Sequence, residues 1–444
     1  MASPATGSHR GQIELGDHRL GATLILESDK ILLELTGPGA GFAFPERLDL
    51  VRFTSNTGYF TLLALFRMNM NIRLGVGSLA TYSVRLAFES GYFEVEDDIR
   101  STCWSIEIRD LAKVFHVNGV QQRLVLPEQG NMIVHWTIAP PASVPLPCPD
   151  SGLTITLGQN IRTGGNAIDG PTIALSYPAT IRFPNPVDPD DALTAMRRIQ
   201  FFFSMLMGRV LPIDAASVRF DLDDGPHEMP MHGLLPTENS EKPSDCLLGN
   251  LGSDRLALLL DRWLFRYSEL ADAIRLHMSA LEQRRLPTEL RFQIFVQALE
   301  ALHRRTSSPS SAPIDSSAVL ASLRDHGIRD DIRDRVAGIL AHAHEPGLRQ
   351  RLGSYWDAMA PELEALRPGE RRRQFIGRVV ATRNHYAHRL DPDAQVLQGP
   401  DLWDATELIK AISHMALLLE MGADITGIGE SMLDRRFAEF TLRD

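Results

Sequence analysis

The sequence contains few cysteines and no long apolar run. Its 444 residues include three cysteines, which stand far apart at positions 103, 148 and 246. This odd, scattered set excludes a disulfide framework and a cysteine-based zinc site, and it fits a reducing compartment. No apolar run reaches the roughly 18 residues that span a bilayer, and residues 1–12 lack the apolar core of a secretory signal. We therefore expect a cytoplasmic protein without a membrane partner.

Positive charge is also scarce over the chain as a whole. Lysine and arginine number 45 against 56 aspartate and glutamate residues, which gives a formal net charge of −11. This balance argues against a protein that coats nucleic acid, although it leaves room for a local basic site. The sequence lacks the GxxxxGKS/T pattern of a nucleotide-binding loop, and no cluster of His, Cys or acidic residues offers metal ligands. We expect neither a cofactor nor a metal.

The first half of the chain is typical of a β-rich domain. Short segments between residues 11 and 183 alternate apolar and polar residues, as in Tyr82–Leu86, and turn residues separate them. This combination predicts a sandwich or an irregular barrel. A helix capped by Asp190 or Asp191 is predicted to follow over residues 190–207. We assign residues 1–245 to this domain, in which we find no catalytic signature.

The second half is typical of an all-α helical bundle. The proline-rich residues 140–149 are predicted to interrupt the sheet, and residues 223–253, rich in Asp, Gly, Pro and Ser, to form a linker. Apolar residues then recur three and four positions apart, which is the period of a helix. The expected fold is therefore α+β with two domains, the second covering residues 254–444. Its predicted helices cover residues 254–265, 267–285, 288–306, 316–326, 329–343, 348–360, 370–390 and 402–421.

One specific motif lies in the predicted helix 370–390. Arg383, Asn384 and His388 form an R-N-x-x-x-H pattern, and Pro392 is expected to end the helix soon after it. Asn384 and His388 are four residues apart, so they lie on one side of the helix. Arginine binds phosphate through a planar fork of donors, and histidine exchanges protons near neutral pH. The group suits metal-free cleavage of a phosphodiester. The alternative is a basic cap at a helix C-terminus.

The position of this motif in a helical C-terminal region resembles the HEPN superfamily, and in particular the HEPN domain of ApeA-type anti-phage proteins. Those proteins also place a large strand-rich domain before the HEPN domain. The segment Val296–His303 resembles an early HEPN helix of this group, with Glu300 in it. The resemblance covers residues 250–444 well and the N-terminal half only by general character.

The resemblance implies an abortive-infection effector that is a metal-independent endoribonuclease. The 2′-hydroxyl of RNA would attack the adjacent phosphorus and expel the 5′-oxygen. In this reading His388 is the general acid or base, Arg383 neutralises the phosphorane charge, and Asn384 orients His388 or the phosphate. The implied partners are RNA, with tRNA as one option, and a second copy of the chain, since HEPN domains commonly dimerise with their motifs facing each other.

Supporting roles are expected for further residues of the same region. Glu300 is expected to hold Arg383 in place, or else to be an ordinary surface glutamate. His385 and Tyr386 could stack on a base, or Tyr386 could be part of the core. Arg378 and Arg389 belong to an arginine-rich run without acidic residues, and we expect them to bind RNA; the alternative is a solvated basic face.

Two other functions remain open at this stage. The C-terminal domain could be a non-catalytic module that binds RNA or a nucleotide, although such relatives are expected to lack the Arg or the His of the motif. It could also be the toxin of a toxin–antitoxin pair whose motif region is nucleotidylated, but Leu390 occupies the position where a Tyr would then be expected. In the ApeA-like interpretation, the N-terminal domain senses a phage-derived trigger and regulates the nuclease.

Overall fold

The computed structural model describes most of the chain in two compact units. The units are Met1–Phe265 and Arg266–Asp444. The described residues are 7–27, 30–39, 42–73, 77–111, 114, 120–125, 133–138, 143–166, 170–222, 225–233, 246–249, 251–283, 285–306, 316–341, 346–388 and 395–441.

The N-terminal unit is built on antiparallel β-strands. The strands are β1 Gly7–Leu15, β2 His18–Leu26, β3 Ile31–Thr36, β4 Arg47–Ser55, β5 Tyr59–Arg73, β6 Gly77–Glu89, β7 Ser101–Ile108, β8 Val120–Val125, β9 Ile133–Ile138, β10 Val144–Cys148, β11 Leu153–Leu157, β12 Asn160–Asn166, β13 Gly170–Ser176, β14 Pro178–Val187, β15 Ile213–Leu222 and β16 Gly225–His232. Strands β8 and β9 form a separate ladder, as do β12 and β13, while the other strands share one sheet.

Part of this sheet closes into a six-stranded barrel. The strand order β6-β3-β2-β1-β4-β5 is completed by pairing of β5 with β6, so the barrel has no open edge. Alternate residues point inward, and Leu24, Leu33, Phe53 and Leu62 are fully buried in its core. Of the two architectures that the strand pattern predicts, the closed barrel is the one that forms in this part of the sheet.

The sheet continues beyond the barrel through β16, β15, β7, β14, β11 and β10. Helix α1 (Pro189–Met207) connects β14 to β15 in the chain, and its Phe202 and Phe203 are fully buried. The carboxylate of Asp188 caps the helix, because it accepts hydrogen bonds from the backbone N–H groups of Asp190 and Asp191. The prediction of a cap at Asp190 or Asp191 was wrong. Proline favours the first helical position, so the helix begins at Pro189 and the cap is the residue before it.

Some strands lie where none was predicted. Strand β16 occupies part of the predicted linker 223–253, and β10 lies in the proline-rich stretch that was expected to interrupt the sheet. Pro145 and Pro147 fit β10 because it is the last strand of the sheet, where one edge needs no donors for a ladder. Strand β4, between β1 and β5, was also missed. The prolines of β10 and β16 weaken their local strand signal, and hairpin pairing with β11 and β15 overrides it. Strand β4 does alternate polar and apolar residues, and this signal was overlooked.

The C-terminal unit is helical, as predicted. Helix α2 (Ser253–Glu282) begins in the first unit and ends in the second. The other helices of the second unit are α3 Thr288–Thr306, α4 Ser316–Asp325, α5 Asp330–Ala341, α6 Leu348–Ala358, α7 Ala360–Leu366, α8 Arg372–His388, α9 Gly399–Glu420 and α10 Ile428–Asp434. The prediction of two helices over 254–285 was wrong, because α2 is continuous and contains no residue that breaks it. The division between the units falls inside α2, later than the predicted boundary at residues 245–254. None of the helices in the described part of the chain has both the length and the apolar character required to span a bilayer.

A buried glutamate caps the short helix α10. The side chain of Glu362 accepts hydrogen bonds from the backbone N–H groups of Gly427 at 3.0 Å and Gly429 at 2.8 Å. We expect Glu362→Ala to lower the free energy of unfolding of the C-terminal unit by about 2 kcal/mol, because the buried N–H of Gly429 and the partly buried N–H of Gly427 lose a charged acceptor. Denaturant unfolding measures this loss. Glu430→Ala, which removes an exposed acid from the same helix, is the control and should cost less than about 1 kcal/mol.

Candidate nuclease site

Three helices, α3, α6 and α8, provide the residues of the candidate site. Helix α8 buries Phe375, Ile376 and Val379 on its inner face. Near its end, the buried Thr382 hydroxyl donates to the carbonyl of Arg378 at 2.7 Å and accepts from the N–H of Leu397 at 2.8 Å. The motif that follows Thr382 is therefore carried on a helix whose last turns are held by packing and by hydrogen bonds.

Arg383 and Glu300 face each other between α8 and α3. The Nη2 atom of Arg383 lies 3.4 and 3.5 Å from the two carboxylate oxygens of Glu300, and its Nη1 lies 3.4 Å from Oδ1 of Asn384. These distances are longer than those of a tight ion pair. The side chain of Arg383 remains 29% exposed. The arginine is thus oriented by Glu300 and Asn384 while part of its guanidinium stays available to an anion.

His388 is the last residue of α8 and is exposed. Asn384, one turn earlier, is half-buried, so the motif forms a gradient from the partly buried Arg383 to the exposed His388. Because residues four apart lie on one side of a helix, Asn384 and His388 present their side chains to the same region of solvent. Arg383 leaves the helix about 140° away from the direction of His388, and its Nη1 reaches this region through its contact with Asn384.

His385 and Tyr386 lie next to each other but turn away from the side of α8 that carries Asn384 and His388. Their rings pack edge to face with centroids 5.0 Å apart, and both side chains are half-buried. Burial, and then the charge of Glu289, raise the pKa of Tyr386, so its phenol stays neutral at physiological pH. The structure therefore places these two residues beside the motif, and it brings Glu300, Arg383 and Asn384 into direct contact.

The two arginines predicted to bind RNA have different positions. Arg378 lies one and a half turns before Arg383, and its guanidinium is in an ion pair with Asp401 at 2.6 Å. Part of its charge is thereby neutralised within the C-terminal unit. Arg389 lies outside the described residues.

The sequence analysis missed two buried residues, Arg351 and His303, that support the part of α3 around Glu300. Arg351 on α6 is buried and donates hydrogen bonds to the backbone carbonyls of Glu300 at 3.2 Å and of Pro346 at 2.7 Å. His303 on α3 is also buried, and its Nε2 lies 3.2 Å from the hydroxyl of Ser354. Burial, and then the charge of Arg351, lower the pKa of His303, so its ring is neutral at physiological pH. In the sequence, the only signal for a role of His303 was its position one turn after Glu300.

No cluster of three or more His, Cys, Asp and Glu side chains suited to a metal occurs within the described residues. The motif itself offers a phosphate the guanidinium of Arg383, the amide of Asn384 and the imidazole of His388.

Two family models match this chain. The model for ApeA N-terminal domain 1 matches residues 9–273, which is more than half of the chain, and the model for Apea-like HEPN matches residues 294–425. The second match contains Glu300 and the whole R-N-x-x-x-H motif. The chain therefore belongs to the ApeA family, with an ApeA N-terminal domain followed by an ApeA-like HEPN domain. No curated protein and no solved structure matches it.

These matches confirm the family and the two-domain α+β organisation that the sequence predicts. Membership of the ApeA-like HEPN family supports a role as an anti-phage HEPN effector.

Proposed function

We propose that this protein is an anti-phage endoribonuclease whose HEPN domain cleaves RNA without a metal. The observation that carries the proposal is the arrangement at the end of α8. An exposed His388 follows Asn384 by one turn, and Arg383 is oriented by Glu300 with its side chain partly exposed. Such a set contains a proton-transfer group and a fixed positive charge, which are the two requirements for transesterification at a phosphate.

In the proposed reaction the 2′-oxygen of a ribose attacks the adjacent phosphorus. Neutral His388 accepts the 2′-hydroxyl proton while Arg383 stabilises the negative charge that builds up on the phosphorane oxygens. The bond from phosphorus to the 5′-oxygen then breaks, and the leaving oxygen takes a proton. The products are a 2′,3′-cyclic phosphate and a 5′-hydroxyl. One proton passes to the protein and one returns from it, and no water is consumed.

The second proton transfer needs a protonated group on the leaving-group side. We assign it to His388 of a second copy, so that a homodimer with facing motifs provides one histidine as base and the other as acid. The N-terminal ApeA domain, with no catalytic signature of its own, would act as the regulator that responds to a phage-derived trigger in the cytoplasm.

The purified full-length protein, incubated with total RNA and with isolated tRNA, tests the proposal. We expect cleavage that persists in EDTA and yields 2′,3′-cyclic phosphate and 5′-hydroxyl ends, with a specific activity that rises with protein concentration as dimers form. Products with 5′-phosphate ends, or activity lost on chelation and restored by a divalent metal, would contradict the mechanism. A specific activity independent of concentration in a monomer would contradict the composite site.

A further inference from the structure

Helices α6 and α8 meet through two reciprocal contacts between a glycine and an arginine. A β-carbon placed on Gly353 of α6 would lie 2.7 Å from Nη2 of Arg372 of α8, so that arginine crosses directly over the glycine. In the opposite direction, a β-carbon on Gly377 of α8 would lie 3.7 Å from Nη1 of Arg349 of α6. The guanidinium of Arg349 thus lies against α8 at Gly377, with room left for a β-carbon between them.

This contact brings the charge of Arg349 to the side of α8 that carries Asn384 and His388. At 3.6 residues per turn, Gly377 and Asn384 differ in direction by only about 20°, and they lie about 10 Å apart along the helix axis. Arg373, one turn before Gly377, differs in direction from Gly377 by about 40° and from Asn384 by about 20°. A row of four side chains therefore follows a single side of the helix. In order, they are Arg373, Arg349 (which lies against Gly377), Asn384 and His388.

The two arginines of this row are free to bind an anion. Both side chains are exposed, and within the described residues neither guanidinium is in an ion pair with a carboxylate. Their neighbours differ in this respect, since Arg372 pairs with Asp357 at 2.7 Å and Arg378 with Asp401 at 2.6 Å. Helix α8 contains no acidic residue that could neutralise the row.

We propose that Arg349 and Arg373 bind backbone phosphates of the RNA next to the scissile phosphate. A single row of cations fits one strand of RNA, because each guanidinium can bind one phosphate as the backbone follows the row. This assignment rests on the proposed nuclease function and specifies its substrate as a single-stranded segment that reaches several nucleotides to one side of the cleavage site. It also implies that Arg349, 34 residues away from Arg383 in the sequence, belongs to the substrate-binding surface.

Salt dependence of RNA binding tests this inference most directly. The full-length double variant Arg349→Gln/Arg373→Gln would be compared with the unaltered protein on a single-stranded RNA of about ten nucleotides. Each phosphate contact to a single strand contributes about 0.7 to the slope of log K against log salt, so the slope should fall by about 1.4. The KM for RNA cleavage should rise in parallel. Arg335→Gln, which removes an exposed arginine from α5, is the matched control and should change neither quantity.

A second variant tests the same site without removing an arginine. Gly377→Glu places a carboxylate next to Arg349, where there is room for a β-carbon, and should also reduce the salt slope. Melting temperatures show that each variant is folded. A slope and a KM equal to those of Arg335→Gln in both variants would overturn the assignment.

Cleavage by the unaltered protein, measured in the same experiment, separates this inference from the nuclease proposal. If the protein cleaves RNA and the salt slopes do not change, the assignment of Arg349 and Arg373 is contradicted and the nuclease proposal is retained. If the protein binds RNA without cleaving it and the salt slopes fall as expected, the assignment of the two arginines is retained and the nuclease proposal is contradicted. Absence of both binding and cleavage contradicts both.

Discussion

Replacing His388 with alanine is expected to reduce the rate of RNA cleavage by about 10²–10⁴-fold, which is the usual contribution of a positioned acid or base. The loss should appear in kcat, because the exposed imidazole is assigned to proton transfer and not to holding the substrate. The stability of the protein should change little, since His388 is exposed at the last residue of α8. Single-turnover cleavage of a defined RNA, together with a melting curve, measures both quantities.

His326→Ala provides the control for this substitution. His326 is also exposed, and its Nδ1 contacts the carbonyl of Ser322 at the end of α4, away from the motif. Cleavage by that variant should equal that of the unaltered protein. Activity retained in His388→Ala would refute the assigned role. If the alanine variant melts at a much lower temperature, His388→Gln, which keeps the size and polarity of the side chain, decides the matter.

Replacing Arg383 with alanine is expected to reduce cleavage by about 10²–10³-fold, the effect of removing one donor that stabilises a developing oxyanion. A moderate loss of stability should accompany it, because Glu300 would lose its partner. Since the pair is partly exposed and its distances are 3.4–3.5 Å, this loss should be only about 1 kcal/mol. Arg383→Lys keeps the charge but not the planar fork, so its activity should lie between that of the unaltered protein and that of Arg383→Ala.

Glu300→Gln shows whether the carboxylate acts through Arg383. If Glu300 only orients that guanidinium, the substitution should slow cleavage by less than Arg383→Ala does. It should then have no further effect when the two are combined, because residues that act as a unit are not additive. Fully additive losses in the double variant would show that Glu300 has a role of its own. Steady-state kinetics on one RNA substrate, with all three variants measured side by side, distinguishes these outcomes.

Local spacing in the amino-acid sequence was sufficient to locate the R-N-x-x-x-H motif on a helix and to predict the order of a strand-rich and a helical domain. These features depend on residues near one another in the chain, since the period of apolar positions distinguishes helix from strand. The 3.6-residue period also predicted that Asn384 and His388 would share a side of α8. The family followed from the same residues, because the motif and the domain order are both readable without a structure.

Only the tertiary structure decided which distant residues surround the motif. Closure of the barrel needs the pairing of β1 with β4 and of β3 with β6, and β16 also pairs with β6. These strands are far apart in the chain, so local preferences do not reveal their contacts. The same holds for the site. Arg351 beneath Glu300 and Arg349 over Gly377 come from a helix that shows no motif, and the ion pair with Asp401 sets Arg378 apart from other arginines of its run. Side-chain contacts between helices are set by packing geometry, which periodicity along one helix does not contain.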